Sequence, residues 1–259
     1  MALAPPLGST LEELRFANSF ADLGEAFSER RPPSGIPGAR LVAISLDAAA
    51  LIDLRGGEEV RPEFTALVSG NGLVPGIEPV AALYGGHQFG YWAGQLGDGR
   101  AILLGEVRTA RGPVELQIKG AGLTAFSRMG DGRAVVRSTV REFLCSEAMD
   151  ALGIPTTRAL ALAAGSEPVR RETIERAATV IRMAPSFVRF GSFEIFHYRK
   201  QTAEVKTLAD YVIERFYPEC GGGEDRYARF FGTVVERTAR LMAAWQSVGF
   251  AHGVMNTDN

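Results

Sequence analysis

Residues 114–153 read VELQIKGAGLTAFSRMGDGRAVVRSTVREFLCSEAMDALG, and the architecture turns on them. Val114 to Lys119 alternates apolar and polar residues, the period of a half-buried strand. It ends in a lysine, whose ammonium is costly in an apolar setting unless something pairs with it. Gly120-Ala-Gly122 then breaks the strand. A helix is expected from Thr139, because Thr139-Val-Arg-Glu142 has the spacing of a capping box. Val140, Phe143, Leu144, Ala148 and Leu152 form its apolar stripe. Gly153 and Pro155 end it.

Outward from this stretch the order of elements is uneven. Upstream, residues 9–27 carry Leu11, Leu14, Phe16, Phe20 and Leu23 at roughly helical spacing, and a Pro/Gly linker follows over 31–38. Strand character begins at Arg40. The glycine-rich stretch 83–107 reads as strand, tight Gly94–Gly99 turn and strand, a hairpin. Downstream, 156–163 and 179–183 read as strands, 207–216 as a short helix and 225–248 as a long amphipathic helix. That long helix sets Phe230, Phe231, Val234, Val235, Leu241, Met242 and Trp245 toward a core. Strands come first, one helix follows the third good strand, and helices close the chain. This order predicts an α+β, protein-kinase-like bilobed fold, a β-rich lobe followed by the beginning of a helical one. The expected divisions are an extension over 1–39, a nucleotide-binding lobe over 40–205 and a partial helical lobe over 206–259.

Composition excludes several classes. Apolar content of 46%, charged content of 22% and a net charge of −2 fit a globular chain and argue against nucleic-acid or membrane partners. The two cysteines, Cys145 and Cys220, offer no disulfide framework; Cys145, in an apolar helical run, reads as a buried thiol. No apolar run spans a bilayer and the first residues do not read as a signal peptide, so the expected compartment is the cytoplasm. His87, His197 and His252 lack metal-ligand spacing.

Four features carry candidate chemistry. Gly97-Asp98-Gly99 lets backbone approach a phosphate, with Arg100 as a nearby cation, although the same glycines serve an ordinary turn. Lys119 and Glu142 have the strand-lysine and helix-glutamate arrangement that steadies phosphates in kinases, while Glu142 is also available to cap Thr139. Gly130-Asp131-Gly132-Arg133 repeats the earlier Gly-Asp-Gly-Arg, suggesting two sides of one phosphate or ribose pocket, or else two unrelated solvated turns. Arg182 interrupts an apolar strand and, with Arg189, is a candidate anion ligand; packing on Phe187 or Phe190 is the plainer use.

The terminal His252-Gly-Val-Met-Asn-Thr-Asp-Asn259 has the histidine-to-asparagine spacing of the kinase catalytic loop H-R-D-x-x-x-x-N. Val254 occupies the place of the proton-accepting Asp and cannot do that work. Asp258 stands instead beside Asn259, where that loop has its metal ligand.

Four strings together, residues 84–106, 115–149, 179–194 and 252–259, resemble the selenoprotein O (YdiU) family over nearly the whole sequence. The resemblance implies a pseudokinase fold that transfers AMP from ATP to Ser, Thr or Tyr hydroxyls of proteins, with the nucleotide reversed relative to kinases. It implies that Gly97, Gly99, Arg100, Lys119, Asp131, Gly132, Arg182 and Arg189 bind ATP. Glu142 would pair with Lys119, Asp258 would be the general base, and Asn259 would hold Mg²⁺ or Mn²⁺. A nucleotide-binding module without transfer activity, or a kinase, are the alternatives. The family's second metal-binding Asp falls beyond Asn259, so the expectation is a piece of a longer protein with little transferase activity of its own.

Overall fold

The structure, a computed structural model, describes residues 8–259. Their elements are β1 (Phe16–Ala17), β2 (Ser28–Arg30), β3 (Arg40–Ile44), α1 (Leu46–Leu51), α2 (Pro62–Ser69), β4 (Val80–Ala82), β5 (His87–Gln88), β6 (Tyr91–Trp92), β7 (Ala101–Thr109), β8 (Gly112–Lys119), β9 (Ala134–Val135), α3 (Val136–Ala151), β10 (Arg158–Arg170), β11 (Ile174–Ala184), α4 (Phe190–Tyr198), α5 (Thr202–Phe216) and α6 (Arg226–Ser247). The fold is α+β, with a large antiparallel sheet and six α-helices among the described residues. The chain divides into two compact units. One holds residues 8–83, 97–150 and 156–187; the other holds 84–96, 151–155 and 188–259.

In the first unit the sheet runs β2-β4-β7-β8-β11-β10-β3, with β1 added beside β7 and β9 beside β11. Strand alternation sets its two faces. Leu116 and Ile118 of β8, Ile102 and Leu104 of β7, and Ile181 and Met183 of β11 pack with Phe64, Leu67 and Val68 of α2 and with α1. Residues of opposite parity, Glu115, Gln117 and Lys119 of β8 and Arg182 of β11, go to the other face, and Arg182 lies directly across from Gln117. One period-2 pattern therefore builds both the core and a charged surface.

Several expected elements differ. Residues 9–27 form 3₁₀ turns and the short β1, not a helix, because the segment spends its backbone on the sheet: Phe16 pairs with Val107, and the Asn18 side chain donates to Glu78 O at 2.6 Å. The glycine turn at 94–99 does not join two neighbouring strands; β7 pairs with β4, and the tight hairpin turn is Ala110-Arg111 between β7 and β8. Helix α3 begins at Val136, ahead of the expected cap. Thr139 is buried inside it and its hydroxyl donates to Val135 O and Val136 O, so no capping box forms and Glu142 is released for another partner. The expected apolar stripe of α3 is only partly turned inward: Val140 and Phe143 are half-buried and the rest is exposed. Leu144 and Leu152 are more than half exposed and Cys145 is exposed. Thr139 and Ser146 are the buried positions, while Glu147 and Asp150 reach Arg158 at 2.8 and 2.9 Å. These ion pairs tie the helix to β10.

In the second unit, α4 packs on α5, and the α5 core residues Leu208, Val212 and Ile213 are buried. Helix α6 is amphipathic, as its spacing predicts, yet none of its residues is buried; Phe231 is 71% and Val235 53% exposed. The expectation that its stripe faces a core does not hold among the described residues. β5 and β6 form a separate two-stranded hairpin.

Candidate functional site

In the first unit the charged face of β8 meets α3. Lys119 Nζ donates to Glu142 Oε2 at 2.6 Å, and Arg182 Nη1 lies 3.2 Å from Glu142 Oε1. Each oxygen of one carboxylate thus faces a different cation. All three side chains are at most one-quarter exposed. Arg182 also donates to the Gln117 side-chain oxygen, while its guanidinium lies 5.3 Å from the centre of the Phe187 ring. Gln117, fully buried, donates onward to Asp98 Oδ2 at 3.2 Å.

The charges do not cancel. Burial, then the neighbouring Arg182, lower the Lys119 ammonium to about 8, against the pull of Glu142. Burial pushes the Glu142 carboxyl up, but Arg182 and Lys119 outweigh it and the net direction is down. Arg100 adds positive potential at both groups. Two cations share one carboxylate, so the cluster keeps a surplus positive charge in partly desolvated surroundings, where charge acts strongly.

Asp98 in the glycine turn is 2% exposed, and its Oδ2 also accepts from Ala82 N at 3.2 Å. The amides of Asp98 and Gly99 donate to Ala82 O and Gly97 O. Gly97 has φ +126°, and a Cβ there would meet the Phe126 ring at 2.4 Å, so close packing explains this glycine. Arg100 is exposed, and its carbonyl accepts from Gly120 N at 2.7 Å, beside Lys119. Gly132 O accepts from Gly122 N at 3.1 Å, which brings the second Gly-Asp-Gly-Arg turn against the end of β8. Asp131 there receives both terminal nitrogens of Arg171 at 2.7 and 3.0 Å, and this holds its carboxyl below the usual range.

In the second unit the terminal loop is held by the 86–89 segment. Gln88 Nε2 donates to Asp258 Oδ2 at 2.8 Å, His87 N to Thr257 Oγ1 at 2.7 Å and Phe89 N to Asn256 Oδ1 at 3.0 Å. A Cβ on Gly86 would strike the Asp258 Cβ at 2.9 Å, so the approach requires glycine. Arg189 Nη1 donates to Asp258 O at 3.0 Å, and its guanidinium stacks 4.7 Å from the Tyr84 ring centre. Glu194 bridges His87 Nδ1 at 2.9 Å and the Thr257 hydroxyl. Asp258 Oδ1 is buried without a hydrogen-bond partner, and Asn259 Oδ1 accepts from Asn256 N at 3.0 Å.

A divalent cation can be tested against these groups. No cluster of three His, Cys, Asp or Glu side chains suited to a metal occurs among the described residues. The Asn259 side-chain oxygen, which accepts one hydrogen bond and keeps a second lone pair, is nevertheless a hard donor of the kind Mg²⁺ accepts, since that ion takes few protein ligands and fills its shell with phosphate and water. The residues fit such an ion.

The family model for protein adenylyltransferase SelO matches residues 10–259. The chain belongs to the SelO family. It is 58% identical over 252 residues to the protein nucleotidyltransferase YdiU of Myxococcus xanthus (strain DK1622), covering 97% of this chain and 52% of that protein. The YdiU of Thiobacillus denitrificans (strain ATCC 25259 / T1) gives the same identity and coverage. That of Ralstonia nicotianae (strain ATCC BAA-1114 / GMI1000) is 57% identical over 244 residues, 94% of this chain and 46% of the relative. The chain spans about half the length of the curated relatives it matches.

Within this SelO chain, Gly97, Gly99, Arg100, Lys119, Asp131, Gly132, Glu142 and Arg182 lie in the first unit, and Arg189, Asp258 and Asn259 in the second. Gln117, Asp98 and Gln88 are the polar groups that sequence reasoning did not single out. Gln117 had a signal: it shares strand parity with Lys119 and lies across from Arg182. No described helix is long and apolar enough to cross a membrane.

Proposed function

We propose that this chain carries the nucleotide-binding and proton-accepting residues of a protein adenylyltransferase. It moves AMP from ATP to a Ser, Thr or Tyr hydroxyl of an acceptor protein, on a kinase-like bilobed fold and in the ATP-rich cytoplasm. The observation that carries this reading is the Lys119–Glu142–Arg182 cluster with its surplus positive charge. Such a cluster suits a polyanion, because guanidinium and ammonium donors make strong, charge-assisted bonds to phosphate oxygens.

Lys119 and Arg182 bind the phosphate chain, and Glu142 keeps both at fixed spacing. Arg100 and the Asp131–Gly132 turn contribute to the same nucleotide, as does Arg189. The nucleotide lies reversed relative to a kinase, so that the α-phosphorus meets the acceptor. Asp258 takes the proton of the acceptor hydroxyl. The hydroxyl oxygen forms its bond to the α-phosphorus, and the bond from that phosphorus to the β-bridging oxygen breaks. Pyrophosphate leaves with the electron pair. Asn259 would be among the ligands of a Mg²⁺ or Mn²⁺ ion, whose chemistry there would be to neutralise charge on the phosphates. Val254, 41% exposed at the place of the kinase base, speaks against γ-phosphate transfer by the usual route.

Mass spectrometry of acceptor proteins incubated with ATP and Mg²⁺ or Mn²⁺ tests the reading. A gain of AMP on hydroxyl residues supports it. A gain of phosphate overturns it in favour of a kinase. Retained ATP binding with no modification overturns it in favour of a binding module.

A further inference from the structure

The β5–β6 hairpin has more structure than a loop cover needs. Its two turn residues both lie at positive φ, Phe89 at +52° and Gly90 at +87°. This is the mirror-image turn of tight hairpins, and a phenylalanine in its first position is strained, since Asn, Asp or Gly ordinarily stands there. Trp92 stacks on Tyr198 with ring centres 3.9 Å apart, and the Tyr198 hydroxyl lies 3.1 Å from His87 Nε2. His87 Nδ1 lies 2.9 Å from Glu194, which in turn accepts from Thr257. Aromatic stacking and a polar relay thus fix both strands of the hairpin and the terminal loop against α4. Of the contacts this holds in place, one reaches the Asp258 carboxylate. Gln88 Nε2 sits 2.8 Å from Asp258 Oδ2, while Asp258 Oδ1 is out of reach of water and lacks a partner.

We propose that Gln88 is a positioning residue for Asp258. Its amide occupies one carboxylate oxygen and fixes the plane of the carboxylate, so only the other oxygen is left to accept a proton. This inference rests on the reading of Asp258 as the general base. Gln88 suits the task because an amide N–H donates to the carboxylate without bringing a charge of its own. Fixing the carboxylate also matters. A base free to turn would as readily take its proton from water and release free AMP, whereas a held one is aimed at the hydroxyl delivered by the acceptor. The balance is the same in both cases: one proton goes to Asp258, one oxygen–phosphorus bond forms, and pyrophosphate departs. The two differ in the hydroxyl's owner.

The test compares the wild type with Gln88→Leu and Gln88→Glu. Leucine keeps most of the bulk and removes the donor; glutamate keeps the length and replaces a donor with an acceptor. AMP transfer to protein and release of free AMP are measured together from ATP, alongside the thermal midpoint of each variant. Positioning predicts kcat for transfer lowered about tenfold or more in both variants, the strength of one hydrogen bond to a charged group, with KM for ATP unchanged. It also predicts a rise in the ratio of free AMP to transferred AMP, which a purely structural role would leave alone. His87→Ala, which removes the hairpin's link to Glu194, should lower the thermal midpoint as well as kcat. A Gln88→Leu enzyme with wild-type kcat and wild-type partition overturns the inference while leaving the function intact. A wild type that transfers no AMP overturns the function itself, and this inference with it.

Discussion

Gly97-Asp98-Gly99-Arg100 and Gly130-Asp131-Gly132-Arg133 are the same four residue types in the same order, and the protein uses them oppositely. In the first turn the aspartate is inside, 2% exposed and bonded to Ala82 N and the Gln117 amide, while Arg100 is exposed. In the second the arginine is inside. Arg133 meets Glu167 at 2.9 Å and donates to Ser34 O and Gly35 O, while Asp131 faces Arg171 with its side chain 46% exposed. A buried aspartate can organise what lies behind it, here Gln117, Arg182, Glu142 and Lys119 in series. An exposed one holds only its immediate neighbour. Burial, not motif, decides which turn governs the charged cluster.

The sharpest way to break this contrast is to cut the series at its cationic end. Arg182→Ala should weaken ATP binding about a hundredfold by calorimetry, the scale of a charge-assisted contact to phosphate. An affinity within threefold of wild type would detach the first turn's network from the ligand. Cutting at the other end tests the same chain through stability. Asp98→Ala leaves the buried Gln117 amide and Ala82 N without their acceptor, so urea denaturation should show a loss of about 2–3 kcal/mol.

How much of this was legible beforehand depends on the kind of signal. The alternation of 114–119 gave the correct strand and set Lys119 on a polar face, since a period of two survives any tertiary context. The Lys119–Glu142 pairing was half legible: residue types and spacing offered Glu142 either to Lys119 or to a cap at Thr139, and the kinase-like terminal loop with the family resemblance favoured Lys119. The start of α3 was not, because Thr139 and Glu142 satisfy a cap on paper while the helix actually begins at Val136. The polar contacts of α3 were equally hidden: Ser45 is 102 positions from Glu147, and Arg158, only 11 away, reaches it because the chain turns back after the helix. The same limit concealed Gln88, whose meaning depends on Asp258, 170 positions away. Long-range pairing also overrode the helical spacing of 9–27.

The cluster's charge state offers a third test, smaller in size. Lys119 titrates at about 8 in the free protein, well below an unfolded lysine, because of burial and Arg182. Bound phosphate favours the ammonium, so ATP affinity should fall by about fivefold between pH 8 and pH 9, with proton uptake on binding in that range. Stability of the unliganded protein should move the other way. The folded chain binds fewer protons at this site than the unfolded chain between pH 8 and 10.5, so the contribution of Lys119 to stability rises with pH across that window. Lys119→Met should abolish both slopes, seen by calorimetry and by urea denaturation as differences from wild type.

The smallest effect belongs to the second turn, and it is the one that settles whether the repeated motif has one meaning or two. Asp131→Ala removes a bidentate contact to Arg171 and the cap that its carboxylate gives to Arg133 N at 2.9 Å. Asp131 is nearly half open to water and Arg171 29% exposed, a setting where ion pairs contribute about 0–1 kcal/mol, so stability should change by less than about 1 kcal/mol. Its folded carboxyl is held below the ordinary range, so what stability the pair gives is present at neutral pH and is lost as pH falls through the depressed value. ATP affinity should fall far less than in Arg182→Ala. The two aspartate variants then separate cleanly: Asp98→Ala should damage fold and binding together, while Asp131→Ala should leave the fold nearly untouched. If Asp131→Ala instead matched Arg182→Ala in lost affinity at unchanged stability, the exposed turn would be a direct nucleotide contact of full weight, and burial would no longer rank the two.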